Sequence, residues 1–131
     1  MLIKENRLAK TRDFNLVMEH GRWVNGHFLD MKVLDLAKNQ DYFPKKEAVD
    51  KFKNQLRIAI SVGLKVEKRA VKRNRVKRQF GEVLRLLIKN DLIKSGYYVL
   101  VVAKKDVLDK DYFEISQEIQ LLLGRAKLLL C

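Results

Sequence analysis

Residues 67 to 87, EKRAVKRNRVKRQFGEVLRLL, begin as a dense run of cations and end as an amphipathic pattern. Successive residues of an α-helix lie about 100° apart, and this spacing places four apolar side chains on one stripe: Val76, Phe80, Val83 and Leu87. The same stripe extended backwards meets only cations: Lys65, Arg69, Lys72 and Arg73. Because unpaired cations are costly to bury, we predict that the second half packs on a sheet and that the first half overhangs it.

The cationic half carries most of the charge of the chain. From residue 65 to residue 78, eight lysines and arginines accompany one acid, Glu67, and together contribute +7 to the formal net charge of +12. A solvated helix face normally interleaves acids four residues from its cations, and this run scarcely does so. Because concentrated like charge is destabilising without a partner, we predict that the segment binds a polyanion. Charge alone leaves open both an RNA-binding module and a DNA-binding domain with a recognition helix.

A short helix is predicted near the N-terminus. Thr11 is placed to cap it, Asp13 lies in its first turn, and Gly21 follows its end. Phe14 and Met18 then share one face of this helix.

Three later segments have the character of strands. Residues 28 to 36 alternate apolar and charged positions, which predicts one wet face, and a phase slip at Leu34 suggests a bulge. Residues 37 to 55 contain the only proline and show no strong period, so we predict an extended hairpin loop. Residues 56 to 62 and 97 to 103 predict two further strands, and the second is apolar enough to be central.

The closing segment predicts a helix that starts near Asp109 or Asp111. Acids cluster between residues 106 and 114, where they suit helix capping better than a metal-dependent nuclease. The predicted order is helix, strand, strand, helix, strand, helix, without an internal repeat. We therefore predict one domain over residues 1 to 131, with an α/β fold built as an α+β sandwich.

The sequence lacks the motifs of several function classes, and this excludes them. Cys131 is the only cysteine, so no disulfide or cysteine-cluster metal site can form within the chain. The two histidines lack zinc-motif spacing, and no Walker loop, Rossmann fingerprint or nucleophile elbow occurs. No run approaches the ~18 apolar residues of a membrane span, and the opening residues do not form a signal peptide. We predict a cytoplasmic protein without a membrane partner or metal ligands of its own.

The run KRAVKRNRVKR, residues 68 to 78, closely resembles the signature of the bacterial ribonuclease P protein component, whose Arg-Asn-Arg core corresponds to Arg73, Asn74 and Arg75. Further matching stretches occur in the order of the family: NRL at 6 to 8, DF at 13 and 14, HG at 20 and 21, RIAISV at 57 to 62, and YYVLVVAKK at 97 to 105. The resemblance covers most of the chain outside residues 37 to 55.

The resemblance implies a protein that joins a large catalytic RNA to remove 5′ leaders from precursor tRNA. The RNA would supply the active site, with Mg²⁺ ions that activate water and stabilise the leaving oxygen, so no catalytic residue is expected in the protein. The implied partners are the ribonuclease P RNA and the precursor tRNA with its leader. The implied fold is a small mixed sheet with an N-terminal helix, a basic motif helix in a left-handed βαβ crossover, and a C-terminal helix.

Charge and resemblance together give two sets of candidate residues. The RNA-binding set lies in the basic run: Lys65, Lys68, Arg69, Lys72, Arg73, Asn74, Arg75, Lys77 and Arg78. The second set would line a leader-binding cleft between the N-terminal helix and the sheet: Phe14, Met18, Phe28, Met31 and Arg57. Met18 and Met31 occupy positions where relatives often carry aromatic residues, so weaker base stacking is expected there.

Overall fold

The structure is a computed structural model that describes residues 2, 4–39 and 55–129. Short 3-10 helices occur at Lys4–Asn6 and Lys105–Asp109. In this described part, three helices and four strands follow one another: α1 (Thr11–His20), β1 (Arg22–Asn25), β2 (Leu29–Asp35), β3 (Leu56–Ser61), α2 (Ala70–Lys89), β4 (Tyr97–Ala103) and α3 (Tyr112–Arg125).

The strands form one mixed sheet in the order β1-β2-β4-β3. β2 pairs antiparallel with both β1 and β4, whereas β3 pairs parallel with β4. β4 is therefore central, as its apolar sequence predicts, and α2 joins the two parallel strands as a βαβ unit. The left-handed sense of this connection stays a prediction.

Helices cover both faces of the sheet. On one face, α2 and α3 pack through fully buried side chains such as Phe80 and Ile119 against Val99 of β4. On the other face, α1 packs through Val17 onto a cluster that includes Leu100. We call these the α2/α3 face and the α1 face. The predicted α+β sandwich with a small mixed sheet is confirmed.

β2 differs from the strand that the alternating pattern predicted. All seven of its residues pair with β4 in one continuous register, so there is no bulge. The phase slip at Leu34 arises because the strand is buried on both faces. Val33 lies in the core of the α2/α3 face, and Leu34 lies in the core of the α1 face. The predicted wet face is also wrong, because even Lys32 is only 8% exposed.

Two connections also differ from the prediction. β1 is missing from the predicted order because its four mostly exposed residues carry no detectable alternation. The Asn25-Gly26 pair that ends it is nevertheless typical of a β-hairpin turn. β2 and β3 do not form the predicted hairpin, because β4 lies between them. Residues 40–54 lie outside the described part of the chain.

The helix ends follow the predicted capping only in part. α1 begins at Thr11 itself, so its N-cap residue is Lys10, which makes no side-chain cap. α3 has the predicted cap, since the carboxylate of Asp111 accepts a hydrogen bond from the N–H of Glu114 at 2.8 Å. α3 ends at Arg125, several residues before the end of the apolar pattern.

A buried carboxylate fixes the β1–β2 turn to α3. Glu118 is 6% exposed and accepts hydrogen bonds from the N–H groups of His27 at 3.0 Å and Phe28 at 2.8 Å. From the end of β4, the Nζ atom of Lys104 donates to the carbonyl of Gly26 at 2.8 Å. The hairpin is thus attached to two other elements, which fixes the position of β1 at the edge of the sheet.

Candidate nucleic-acid interface

The predicted RNA-binding residues occupy two consecutive parts of the βαβ unit. Three of them precede α2: Lys65, Lys68 and Arg69. The other six lie in its first half: Lys72, Arg73, Asn74, Arg75, Lys77 and Arg78. The predicted apolar stripe of the second half is buried: Val76, Phe80, Val83 and Leu87. The packed second half therefore holds the cationic first half in a fixed position.

Glu67, the one acid of the run, is engaged locally. Its Oε1 atom accepts a hydrogen bond from the N–H of Arg69 at 3.0 Å and lies 3.4 Å from the Nε atom of the same residue. The backbone hydrogen bond from Arg69 and the nearby charges of Arg69 and Lys72 hold the pKa of Glu67 below its ordinary value. Glu67 therefore orders the turn before α2 and offsets only one of the neighbouring cations.

Arg73 folds back onto the same turn. Its Nη1 atom donates to the carbonyl oxygens of Glu67 at 3.1 Å and Lys68 at 2.8 Å. The guanidinium still carries its full charge, because two carbonyl groups do not neutralise it. Arg73 thus connects the first turn of α2 to the preceding chain and keeps further donors for a ligand.

The other cations of the run have no such partners. Within the described residues, six of them form no ion pair and no side-chain hydrogen bond: Lys65, Lys68, Lys72, Arg75, Lys77 and Arg78. The exposed amide of Asn74 makes no hydrogen bond to a described residue either. The surface thus presents seven uncompensated positive charges, those of the six cations and of Arg73, and one group that both donates and accepts, which suits a phosphate backbone with accessible base edges.

Three of the five predicted cleft residues lie on the α1 side of the sheet. Phe14 and Met18, one helical turn apart on α1, are 36% and 42% exposed. The neighbours of Arg57 on β3, Leu56 and Ile58, lie in the core of the α2/α3 face. Because side chains alternate along a strand, Arg57 faces the α1 side. Its Nη1 atom donates to the carbonyl of Arg7 at 3.4 Å, and its buried Nε atom has no partner among the described groups. We call Phe14, Met18 and Arg57 the α1 surface.

Met31 and Phe28 do not belong to the α1 surface, and this corrects their assignment to the cleft. Met31 is fully buried in the core of the α2/α3 face. Phe28 is 8% exposed in the same core, and its ring lies 5.4 Å from the Nζ atom of Lys110. The period of a strand shows which residues share a face, but not which layer covers that face.

Sequence reasoning missed Trp23 and Lys32, which lie opposite each other on β1 and β2. The Nζ atom of Lys32 lies 5.0 Å from the centre of the Trp23 ring and donates to the carbonyl of Met18 at the end of α1. Trp23, the only tryptophan of the chain, remains 46% exposed. The Asn25-Gly26 turn signal could have revealed this hairpin and placed an exposed aromatic beside α1.

A mixed sheet with helices on both faces and an uncompensated cationic helix end defines an α+β nucleic-acid-binding protein. The family profile described as Ribonuclease P matches residues 2–127. The chain belongs to the ribonuclease P protein family, as the signature predicted. This membership decides against the general RNA-binding module and the DNA-binding domain.

Curated relatives agree over nearly the whole chain. The chain is 32% identical to the ribonuclease P protein component of a Cyanothece species over 130 residues, which cover 98% of each chain. It is 34% identical to that of Clostridium botulinum over 124 residues, or 95% of this chain and 96% of the relative.

Solved structures show the same fold. The Staphylococcus aureus RNase P protein superposes with a TM-score of 0.73 at 22% identity and covers 97% of this chain and 100% of its own. The Thermotoga maritima RNase P protein gives a TM-score of 0.67 at 22% identity, with 91% of this chain and 96% of its own covered.

Proposed function

We propose that the connection after β3 and the first half of α2 bind the catalytic ribonuclease P RNA, and that the α1 surface binds the 5′ leader of precursor tRNA. Proteins of this family are the protein component of ribonuclease P and assist the RNA in removing the 5′ leader. The observation that carries the assignment of the RNA site is the set of six cations without a described partner on a helix held by its packed second half.

The α1 surface suits a single strand better than a duplex. Phe14 offers a half-exposed ring and Met18 an apolar side chain of similar reach, so unpaired bases can stack or pack on α1. Arg57 supplies charge on the neighbouring strand, where the exposed end of its guanidinium can pair with a phosphate. In mature tRNA the 5′ end is paired within the acceptor stem, so no unpaired bases remain on the 5′ side of the cleavage site to stack on α1.

We assign the chemistry of cleavage to the RNA. No three histidine, cysteine, aspartate or glutamate side chains in the described ranges come together as a metal-binding group. We propose that the RNA holds the Mg²⁺ ions. Mg²⁺ would activate the attacking water and stabilise the leaving oxygen there.

We also propose a cytoplasmic location, where precursor tRNA is processed. Among the helices of residues 4–39 and 55–129, none has the length and apolar character required to span a bilayer.

The direct test is cleavage of a labelled precursor tRNA at low Mg²⁺ by a bacterial ribonuclease P RNA, with and without the protein, and by the protein alone. We expect cleavage at the mature 5′ end only when RNA and protein are both present. Cleavage by the protein alone would contradict the assignment of the chemistry. Binding without any stimulation of a cognate RNA would contradict the proposed role of the protein.

The leader assignment is tested by Phe14→Ala in the same assay. Stacking contributes about 1 to 3 kcal/mol per base, so binding of the leader-bearing precursor should weaken by about 5- to 150-fold while mature tRNA binds as before. The far-ultraviolet circular dichroism of the variant checks its folding. Equal losses for the two tRNAs would refute a leader site on α1.

A further inference from the structure

A groove runs between α2 and the N-terminal segment. The N-terminal residues follow the outer edge of β3, where Arg7 forms a parallel bridge with Ile58, and the N–H of Leu8 donates to the Ile58 carbonyl at 3.1 Å. Between this segment and the helix the groove encloses about 660 Å³. We call it the α2 groove and define it by its lining: Leu2, Arg7, Ile58, Ile60, Asn74, Lys77, Arg78 and Gly81.

The α2 groove has an apolar wall and a polar rim. Leu2 and Ile58 are buried, Ile60 is half-buried, and Gly81 contributes no side chain to the helix side. A volume of this size lies in the range of about 300 to 1,000 Å³ that is usual for small-molecule sites. The wall therefore offers a flat apolar group a place out of water.

The rim carries charge that is not compensated within the described residues. Lys77 and Arg78 are exposed and form no ion pair there, and Asn74 adds a free amide. A smaller cavity of about 290 Å³ farther along α2 differs in this respect. Its lining residue Arg85 is paired with Glu82 at 2.6 Å, which raises the pKa of Arg85, and this leaves Lys89 as its one cation without an ion pair to a described residue. An anion is thus favoured at the α2 groove over the second cavity.

We propose that the α2 groove receives one unstacked nucleobase of the ribonuclease P RNA, with the phosphate of that nucleotide on Lys77 and Arg78. The base packs against Leu2 and Ile60, and the amide of Asn74 hydrogen-bonds the base edge. The inference rests on the proposed RNA-binding function and adds to it a site for a single nucleotide. A regular duplex meets the cations with its phosphates and leaves the apolar wall empty, whereas a base turned out of a loop fills both parts.

The test is a scan of unpaired positions in the RNA. Transcripts that each lack one base, at one abasic position, are bound to wild-type protein and to the variant Asn74→Ala. We expect one position at which loss of the base weakens wild-type binding by about 5- to 150-fold. At that position Asn74→Ala should show a clearly smaller loss. Arg75→Ala, a neighbouring cation outside the groove, should weaken all transcripts equally and keep the full loss at the special position.

A second measurement leaves the protein unmutated. 2-Aminopurine at the special position should become brighter on binding, because unstacking relieves its quenching, and a labelled Ile60 methyl group should shift in the NMR spectrum of the complex. If the protein binds the RNA and stimulates cleavage but no abasic position stands out, the nucleobase site is refuted and the proposed function remains. If the protein does not bind the RNA at all, the proposed function itself fails. Equal coupling of Asn74→Ala and Arg75→Ala to one position would also overturn the placement in the groove.

Discussion

Arg73 and Arg75 flank the same asparagine, and the structure predicts different consequences for their loss. Arg75 has no partner among the described residues, whereas Arg73 donates to two carbonyl groups of the turn before α2. We expect Arg75→Ala to remove one phosphate contact without a loss of stability. We expect Arg73→Ala to remove a contact and also to destabilise the fold by about 1 to 2 kcal/mol, because exposed hydrogen bonds contribute at the lower end of the usual range.

The magnitude for binding follows from counterion release. The logarithm of the affinity falls with the logarithm of salt concentration by about 0.9 per duplex phosphate neutralised. The six unpaired cations and Arg73 together give seven phosphate contacts, which predict a slope near −6.3 and a loss of about 6,200-fold between roughly 50 and 200 mM salt. Removing one contact should flatten the slope by about 0.9, so the loss of affinity over the same salt range should be about 3.5-fold smaller.

The assay is a filter-binding titration of labelled ribonuclease P RNA over this salt range at constant Mg²⁺, with thermal unfolding of each variant alongside. Lys94→Ala is the matched control, because this exposed lysine follows the far end of α2, and that end lies about 20 Å along the helix axis from Arg75. The control should leave the slope of the wild type unchanged. A slope that is the same for Arg75→Ala and the wild type would refute the argument that this helix half forms the interface. Equal stability of the Arg73 and Arg75 variants would refute the structural role of Arg73.

Three further predictions concern the scaffold. Glu118→Ala leaves the N–H groups of His27 and Phe28 without their acceptor and should lower the free energy of unfolding by about 3 kcal/mol, measured by urea denaturation; a change below about 1 kcal/mol would show that the hairpin does not depend on this carboxylate. Asp111→Ala should cost about 0.5 to 2 kcal/mol through loss of the α3 cap, whereas Asp111→Asn should retain most of it. The pKa of Glu67 is lowered in the folded protein, so its contribution to the free energy of unfolding is complete above the ordinary value of 4.5 and is lost as pH falls through the lower folded-state value. An NMR titration should show the carboxyl group of Glu67 changing below pH 4.5. A midpoint at or above that value would contradict the hydrogen bond from the backbone N–H of Arg69.

The sequence predicted α2 well because the angle between successive residues of a helix is fixed. The azimuths of Val76 and Phe80 follow from the helical period alone, and they separate the packed half from the exposed half without knowledge of any other element. The exposed cationic surface could therefore be located before the fold was known. What the sequence could not predict is the distinction between Arg73 and Arg75, since it depends on how the turn before Ala70 folds back.

The cleft was predicted less well, because the period of a strand shows which residues share a face but not which layer packs on it. Alternation groups Leu29 with Met31, but only the packing of α3 and α1 on opposite faces decides that this group is in the core. Once that is known, Lys32 and Trp23 take the place on the α1 side that was assigned to Met31. The error at Met31 is a choice of the wrong face of one strand, and the leader contacts of Phe14 and Arg57 stay predictions.

The arrangement of α2 implies that salt has opposite effects on the stability of the free protein and on its affinity for RNA. Glu67 offsets only one of the eight cations, and the other seven repel one another in the free protein. Added salt screens this repulsion and so stabilises the free protein, but the same ions compete with the protein for phosphates and weaken the complex. The buried stripe on the second half of α2 holds the charged half in place despite the repulsion, because apolar burial depends little on moderate salt. RNA binding then neutralises these cations and removes their repulsion. Because the RNA binds the folded protein in preference to the unfolded chain, the free energy of unfolding should be larger for the complex than for the free protein.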